Sequence, residues 1–129
     1  MGDIDRFKSV NDRFGHATGD KVIRAVADQL SGQSRSSDIS CRWGGEEFVI
    51  LLANSTVAAA KVAAERWRQS IECHQIDAPL PDGPFSVTIS IGISTLVGRE
   101  DDIEALVARA DSALYRCKQN GRNRVELTL

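Results

Sequence analysis

Two aspartates at the start of the sequence are spaced to bind a hard metal ion. In Asp3-Ile4-Asp5, the alternation of an extended chain places both carboxylates on one face and leaves the Ile4 carbonyl between them. Oxygen ligands of this kind suit Mg²⁺, which takes one or two carboxylates and completes its shell with water and substrate phosphates. A solvated acidic loop is the commoner form of such a tripeptide, so the motif alone leaves both interpretations open.

A second acidic pair follows two glycines in residues 44–47, which read Gly-Gly-Glu-Glu. Residues 38–43 alternate as a strand does, and residues 48–52 form a continuous apolar run that predicts a strand buried on both faces. Between such runs, Gly-Gly predicts a tight hairpin with a positive φ at both glycines, and their bare backbone lets a ligand approach closely. Glu46 and Glu47 then lie at the mouth of the hairpin. They could hold metal ions for phosphoryl transfer beside the aspartates, but alone they also fit a charged surface hairpin.

Polar residues between positions 11 and 20 could recognise a purine base. Asn11 carries both donors and acceptors, whereas an ionised Asp20 carries acceptors only. Together they could bind a guanine edge, with Asp20 accepting from its ring N–H and amino groups. Asp20 could instead be a helix N-terminal carboxylate stabilised by the macrodipole, and His16 caps or packs more often than it binds a ligand.

The hydrophobic pattern predicts the elements that position these residues, in the order β-α-β-β-α-β-α-β. Residues 85–93 alternate as the clearest strand, while three prolines and a glycine in residues 77–84 indicate a loop. Such an order predicts an α+β fold, a sheet with helices packed against it, and 129 residues suit one domain. The apolar helical stripes comprise Val22, Ile23, Val26, Ala27 and Leu30; Ala60, Ala63, Ala64, Trp67 and Ile71; and Ile103, Leu106, Val107, Ala110, Ala113, Leu114 and Cys117.

The composition excludes some classes of function. A formal net charge of -2 gives no basic surface for nucleic acid, which disfavours a polymerase or a DNA-binding protein. The sequence has no apolar run long enough to cross a membrane. Cys41, Cys73 and Cys117 are an odd set without metal-ligand spacing, so we predict reduced and mostly buried thiols in a cytoplasmic protein.

Four blocks together resemble the GGDEF domain of diguanylate cyclases. They are Asp-Ile-Asp-x-Phe-Lys-x-x-Asn-Asp at 3–12, Phe-Gly-His-x-x-Gly-Asp at 14–20, Arg-Trp-Gly-Gly-Glu-Glu-Phe at 42–48, and residues 110–123. Their order is that of the family, and they extend over most of the chain. The resemblance implies the ferredoxin-like palm of nucleotidyl cyclases, with a mostly antiparallel sheet flanked by helices.

The resemblance implies a magnesium centre and a reaction. Asp3, the Ile4 carbonyl and Glu46 match the metal ligands, for two Mg²⁺ ions per site, with Mn²⁺ as a substitute. Glu46 also matches the residue that helps to deprotonate the attacking 3′-hydroxyl, and Glu47 is expected to support the second metal ion. Two GTP molecules would be joined into cyclic di-3′,5′-GMP with release of two pyrophosphates. Because each domain binds one GTP, the family reaction requires a homodimer.

Other residues match the family's nucleotide contacts. Asn11 and Asp20 match the residues that contact guanine, and His16 a further nucleotide contact. Phe7 and Lys8 match a short loop that meets the triphosphate.

Lys118 and Arg122 match the distal phosphate clamps, a task that suits an ammonium and a guanidinium. Both could instead complement the C-terminus of the preceding helix.

The resemblance also implies a site for the product. Arg35-Ser36-Ser37-Asp38 stands at the position of the family's inhibitory Arg-x-x-Asp site, and Arg66 matches an additional arginine of that site. Guanidinium groups can pair with phosphate or stack on guanine, and Asp38 can accept from guanine N–H groups. An arginine and an aspartate three residues apart also form simple loop salt bridges.

The family pattern normally starts before the equivalent of Met1. We therefore expect residues 1–129 to be a single GGDEF domain without its N-terminal helix and most of its first strand. Either it is a fragment from the cytoplasmic part of a larger sensor protein, or the start of the sequence is misplaced. A shortened central strand predicts lower stability and strand exchange. Three functions fit: an active cyclase, an inactive module that acts as a receptor for GTP or cyclic di-GMP, and a structural interaction module.

Overall fold

A five-stranded sheet forms the centre of the molecule in the computed structural model, which describes residues 1–128. The strands lie in the order β2-β3-β1-β4-β5, and all neighbours are antiparallel except β4 and β5, which are parallel. The mostly antiparallel α+β fold predicted from the sequence is confirmed, with a short central strand. The strands are β1 (Gly2–Ile4), β2 (Ile39–Gly44), β3 (Glu47–Leu51), β4 (Ile89–Ser94) and β5 (Val125–Thr128).

Four helices flank the sheet, one more than the sequence pattern predicts. The extra helix arises because the segment after β1 divides at Gly15, whose φ of 88° suits glycine. The second helix begins at His16, so residues 16–20 are helical rather than a loop before the helix. The helices are α1 (Phe7–Phe14), α2 (His16–Gly32), α3 (Val57–Cys73) and α4 (Ile103–Gln119).

Side-chain caps fix the starts of α3 and α4. The Thr56 hydroxyl accepts from the Ala59 N–H at 3.1 Å, and the Asp102 carboxylate accepts from the Ala105 N–H at 2.7 Å. Each bond satisfies one of the N–H groups that lack a partner in the first helical turn. No helix within residues 1–128 is long and apolar enough to cross a membrane.

Two burial predictions are wrong. The run that begins at Phe48 is buried only at Phe48 itself, and Leu51 is 42% exposed. This end of β3 borders an apolar hollow of about 360 Å³ that is also lined by residues of β4, α3 and α4. The thiols of Cys41 and Cys73 are exposed, because Cys41 lies on the edge strand β2 and Cys73 at the C-terminal end of α3. Cys117 is buried, and burial raises the pKa of its thiol to about 11.

The predicted strand over residues 85–93 is also corrected. Strand β4 begins at Ile89, and Phe85 instead forms an isolated bridge with Ile76. The Ile76 N–H donates to the Phe85 carbonyl at 2.7 Å, and the Phe85 N–H donates back at 2.9 Å. This bridge ties the loop after α3 to the start of the segment that leads into β4.

The hydrophobic core lies between the sheet and the helices. Helix α4 contacts β4 closely because Gly92 has no side chain: a Cβ there would lie 2.2 Å from the Ala110 carbonyl oxygen and 2.4 Å from the Leu114 nitrogen. The largest fully buried apolar side chains are Ile4, Val22, Val26, Ile71, Ile89, Leu114 and Cys117. The close contact fixes the height of α4, and therefore of Lys118, over the sheet.

We expect Gly92→Ala to lower the free energy of unfolding by about 3 kcal/mol, because its methyl group meets backbone atoms that can move only if the whole helix moves. Urea unfolding followed by circular dichroism measures this change. Gly32→Ala is the control, since a Cβ at Gly32 meets no atom within 4 Å. A loss below about 0.5 kcal/mol for Gly92→Ala would contradict the packing described for α4.

Candidate active site

The sheet brings the two acidic segments together. Strand β1 lies directly beside β3, its register pairs Asp3 with Glu47, and the Ile4 N–H donates to the Glu46 carbonyl at 3.1 Å. Directly paired residues of antiparallel strands point to the same face of the sheet. The mouth of the β2–β3 hairpin is therefore adjacent to Asp3, as the sequence predicts.

The glycines of the hairpin do not have the predicted conformation. Neither Gly44 nor Gly45 has a φ in the left-handed region. The strands instead reach the turn through a register shift between Arg42 and Gly44, after which Gly44 pairs with Glu47. A Cβ at Gly45 would meet no atom within 4 Å, so the backbone of the turn is open to an approaching ligand.

Asp3 is a buried carboxylate surrounded by charges. It is 5% exposed, and the Lys118 ammonium donates to its Oδ2 at 3.0 Å. Burial raises the pKa of Asp3 above its usual value and the charges of Glu46 and Glu47 add to the increase, while the hydrogen bond and charge of Lys118 oppose it. Three carboxylates thus share one end of the sheet with a single ammonium, an arrangement that attracts a further cation.

The oxygen atoms present fit a magnesium–nucleotide complex better than an all-protein metal cage. Within residues 1–128, no group of three His, Cys, Asp or Glu side chains is close enough to hold a metal ion alone. The expected donors are the carboxylates of Asp3 and Glu46 and the Ile4 carbonyl. One or two carboxylates with substrate phosphates and water are the usual magnesium ligands of nucleotide enzymes.

The second aspartate of the first motif has different partners. Asp5 is 7% exposed, and its carboxylate accepts from the hydroxyls of Thr88 and Ser90, each at 2.7 Å, and from the Asn123 N–H at 3.0 Å. It is thereby bonded to the segment before β4, to β4 and to the turn before β5. These partners satisfy Asp5, which leaves Asp3 as the aspartate available to a metal ion.

The residues predicted to recognise a purine lie where α1 packs against α2. Asn11 of α1 packs directly against Gly19 of α2, so closely that a Cβ at Gly19 would lie 1.9 Å from the Asn11 Oδ1. This oxygen is buried and has no hydrogen-bond partner within residues 1–128. Asp20 follows Gly19 and is exposed, as is His16 at the start of the helix. A buried acceptor without a donor is costly, which favours a ligand N–H at this position.

Phe7 and Lys8 lie in the first turn of α1 rather than in a loop. The residue before them, Arg6, has a φ of 55°, and no side chain of the described residues caps the helix. The N–H groups of the first turn are therefore free to meet an anion, since a helix N-terminus favours negative charge.

The two predicted phosphate clamps, Lys118 and Arg122, lie on either side of the C-terminus of α4. Lys118 is in the last turn, and Arg122 follows the helix with a φ of 66°. The Arg122 N–H donates to the Cys117 carbonyl at 2.8 Å, which closes the helix end. The Lys118 ammonium donates to Asp3 directly, so its position serves more than the helix dipole.

The predicted product site is a loop cluster between α2 and β2. The Arg35 N–H donates to the Asp38 Oδ2 at 2.8 Å, and the Arg35 guanidinium lies 3.6 Å from the Asp38 Oδ1 and donates to the Ser55 hydroxyl at 2.6 Å. Arg66 of α3 donates to the Gln33 carbonyl at 3.2 Å. The three predicted residues thus surround one loop, with the Asp38 side chain only 4% exposed.

The family model described as "Diguanylate cyclase, GGDEF domain" matches residues 1–124. The chain belongs to the GGDEF family. Diguanylate cyclase A of Treponema denticola is 46% identical over 129 residues, and the response regulator PleD of Caulobacter vibrioides is 43% identical over 123 residues. The chain covers 34% and 27% of these two proteins, respectively, so it spans about a third or less of their length.

Solved structures of GGDEF domains have the same fold. The GGDEF domain of DgcB from Caulobacter crescentus, solved with c-di-GMP, superposes with a TM-score of 0.91 at 32% identity. The active GGEEF domain of a diguanylate cyclase from Vibrio cholerae gives a TM-score of 0.88 at 36% identity. In both comparisons 98% of the present chain is covered, together with 74% and 78% of the respective neighbours.

Sequence reasoning missed the hydroxyl partners of Asp5. Thr88 and Ser90 alternate with buried apolar residues in the segment that leads into β4, so their side chains share one face of that segment. Two hydroxyls on one face of an otherwise apolar segment are a signal for a buried acceptor nearby. The identity of that acceptor required the fold, because Asp5 lies more than 80 residues away in the sequence.

Proposed function

We propose that this chain is the catalytic GGDEF domain of a diguanylate cyclase, which condenses two GTP molecules into cyclic di-3′,5′-GMP and releases two pyrophosphates. The observation that carries the proposal is the meeting of Asp3, the Ile4 carbonyl and the Glu46–Glu47 pair at one end of the sheet, beside Lys118. Carboxylates, a carbonyl and an ammonium at one edge suit a triphosphate with its magnesium ions.

The proposed chemistry consists of positioning and charge neutralisation. Asp3, Ile4 and Glu46 would hold Mg²⁺, with Glu47 supporting a second ion; bound there, the metal neutralises phosphate charge and favours the ionised 3′-hydroxyl. Glu46 would accept the proton of the 3′-hydroxyl as its oxygen forms a bond to the α-phosphorus of the other GTP. The bond between the α-phosphorus and the bridging oxygen breaks, and pyrophosphate leaves.

Lys118 has a second role in the proposal. Its ammonium pairs with Asp3 at 3.0 Å and occupies the place where a metal cation would neutralise that carboxylate. With magnesium on Asp3, Lys118 would turn to the distal phosphates, where Arg122 supplies the other positive charge. Phe7 and Lys8 would add first-turn N–H groups and a further ammonium to the triphosphate site.

Guanine recognition would use Asn11, His16 and Asp20, which lie where α1 meets α2. The Asn11 Oδ1 lacks a donor within the described residues, which supports its pairing with a base amino or ring N–H group. Asp20 and His16 are exposed on the same helix and would complete the contacts to the nucleotide. An adenine edge presents a different set of donors and acceptors, so the site would favour GTP over ATP.

The reaction would need two copies of the domain. Each active site holds a single GTP, so the 3′-hydroxyl that attacks its α-phosphorus must come from the GTP of a second copy. Face-to-face pairing of two sites supplies both hydroxyls and closes the cyclic product in two steps. A monomer would therefore bind nucleotide but form little product.

The cluster of Arg35, Asp38 and Arg66 supports a second candidate role, as a receptor for cyclic di-GMP. The Asp38 Oδ1 is buried without a hydrogen-bond donor among residues 1–128, and the Arg35 side chain is exposed at 59%. A guanine N–H could satisfy the aspartate, while the two guanidinium groups meet phosphate or the base. In an active cyclase the same site would inhibit synthesis when product accumulates.

The proposed activity predicts that the chain converts GTP with Mg²⁺ into cyclic di-GMP and pyrophosphate. Chromatography identifies the dinucleotide, and ATP under the same conditions is the control for base recognition. Product from GTP but not from ATP supports a guanine-specific cyclase. GTP consumption without a cyclic dinucleotide would contradict it, as would equal use of both nucleotides.

A further inference from the structure

The turn that carries Arg122 has an unfavourable backbone. Arg122 and Asn123 are consecutive residues with φ values of 66° and 47°, and Gly121 before them has a φ of 109°. Left-handed conformations are disfavoured for residues with side chains, and asparagine tolerates them better than arginine does. Such a turn persists only where the surrounding structure holds it.

The buried carboxylate of Asp5 holds this turn against the sheet. The Asn123 N–H donates to Asp5, which also binds the hydroxyls of Thr88 and Ser90, so all of its partners are donors. Asp5 lies two residues after Asp3 in the chain. One short segment therefore contains both a proposed metal ligand and the acceptor that ties the phosphate-side turn to the sheet.

Hydrogen bonds from the Asn123 side chain to helix α3 also hold the turn. The Asn123 Oδ1 accepts from the Arg68 guanidinium at 2.8 Å, and the Asn123 amide donates to the Glu72 carboxylate at 3.1 Å. Arg68 also pairs with Glu65 at 3.0 Å and with Glu72 at 2.7 Å. Helix α3 thus presents an ordered pair of partners to the residue that follows Arg122.

We propose that Asp5 is a positioning residue that sets Arg122 at the triphosphate site, with Arg68 and Glu72 locking the same turn through Asn123. This inference rests on the proposed function, since it concerns the same nucleotide. In this arrangement the Asp5 carboxylate is bonded to three donors of the protein rather than to a metal ion. Through the turn it sets the contact of Arg122 with the β- and γ-phosphates, and guanine recognition by Asn11 and Asp20 is unaffected.

The test is Asp5→Asn, which preserves size but removes the charge and turns one of the two acceptor atoms into a donor. The affinity of the full chain is measured by calorimetry with Mg²⁺ for α,β-methylene GTP, whose bridging carbon prevents pyrophosphate release, and for GMP. We expect affinity for the triphosphate analogue to fall about tenfold, the effect of losing one buried charge-assisted hydrogen bond. Affinity for GMP should stay within about twofold, because GMP lacks the phosphates that Arg122 meets.

A double-mutant cycle distinguishes positioning from general loosening of the fold. In an Arg122→Ala background, Asp5→Asn should cause no further loss of affinity for the analogue, because the group that Asp5 positions is absent. Asp101→Asn is the matched control: Asp101 accepts from the Val97 N–H at 2.8 Å and pairs with Arg109, but lies before the opposite end of α4. This control should retain affinity for both nucleotides.

Several results would overturn the inference. Equal losses for GMP and the analogue, or additive losses in the Arg122→Ala background, would show a purely structural role for Asp5. If Asp5→Asn does not fold, Asn123→Gly removes the side-chain lock at a φ that glycine adopts freely, and unchanged affinity for the analogue would then refute the proposal. Failure of the unaltered chain to bind either nucleotide would instead refute the proposed function on which the inference rests.

Discussion

Glu46→Gln is expected to reduce cyclic di-GMP synthesis by about 10³-fold, within the range found for removal of a general base. Glutamine has the size of glutamate, but it carries no charge for a metal ion and cannot accept the proton of the 3′-hydroxyl. The hairpin should persist, because the contact between Glu46 and β1 is made by its backbone carbonyl to the Ile4 N–H. The measurement is the initial rate of product formation at saturating GTP and Mg²⁺.

The matched control for this prediction is Glu100→Gln, an exposed glutamate between β4 and α4. It removes the same charge without altering the active site, so its rate should equal that of the unaltered chain. A Glu46→Gln protein that folds, binds GTP and retains more than about a tenth of the rate would remove Glu46 from the chemical step. Binding of cyclic di-GMP should be unchanged by either substitution, since neither glutamate contacts the Arg35–Asp38 loop.

Gly19→Ala is expected to weaken GTP binding by about 100-fold, while the fold is retained. The added methyl group would lie 1.9 Å from the Asn11 Oδ1, so the asparagine must leave the position from which it would contact guanine. Loss of the hydrogen bonds that the buried Asn11 oxygen would make to a base accounts for an effect of this size. Titration with α,β-methylene GTP measures it without turnover.

A control on the same helix separates recognition from stability. Gly32→Ala adds the same methyl group at the end of α2, where a Cβ meets no atom within 4 Å, and should leave nucleotide binding unchanged. Alanine favours helix over glycine by about 1 kcal/mol, so neither variant is expected to lose helical structure. Normal GTP affinity in Gly19→Ala would contradict the proposal that Asn11 contacts the guanine base.

The parts of the fold that the sequence predicted well are those with strong local patterns. Alternation and turn residues located the hairpin, and the 3.6-residue period located α3 and α4. The order of these segments and their motifs also predicted the family, which the comparisons confirmed. The adjacency of Asp3 and the hairpin mouth followed from that family, and the register of β1 with β3 bears it out.

The errors arose where tertiary contacts override local pattern. An apolar run such as 48–52 predicts burial, but the actual exposure of Leu51 depends on what covers that end of the sheet. The φ angles at Gly44 and Gly45 depended on a bulge in β2 that the turn sequence does not encode. The partners of Asp5 and the left-handed pair at Arg122 and Asn123 are set by contacts between distant segments.

Two copies of this domain are proposed to form the catalytic unit together, so the rate of cyclic di-GMP formation should depend strongly on protein concentration. Cyclic di-GMP formation would be measured at fixed, saturating GTP and Mg²⁺ over a hundredfold range of protein. We expect a rate that rises with the square of protein concentration where monomers predominate and becomes linear once dimers form. A strictly linear rate across that range, in a protein shown to be monomeric by sedimentation, would contradict it.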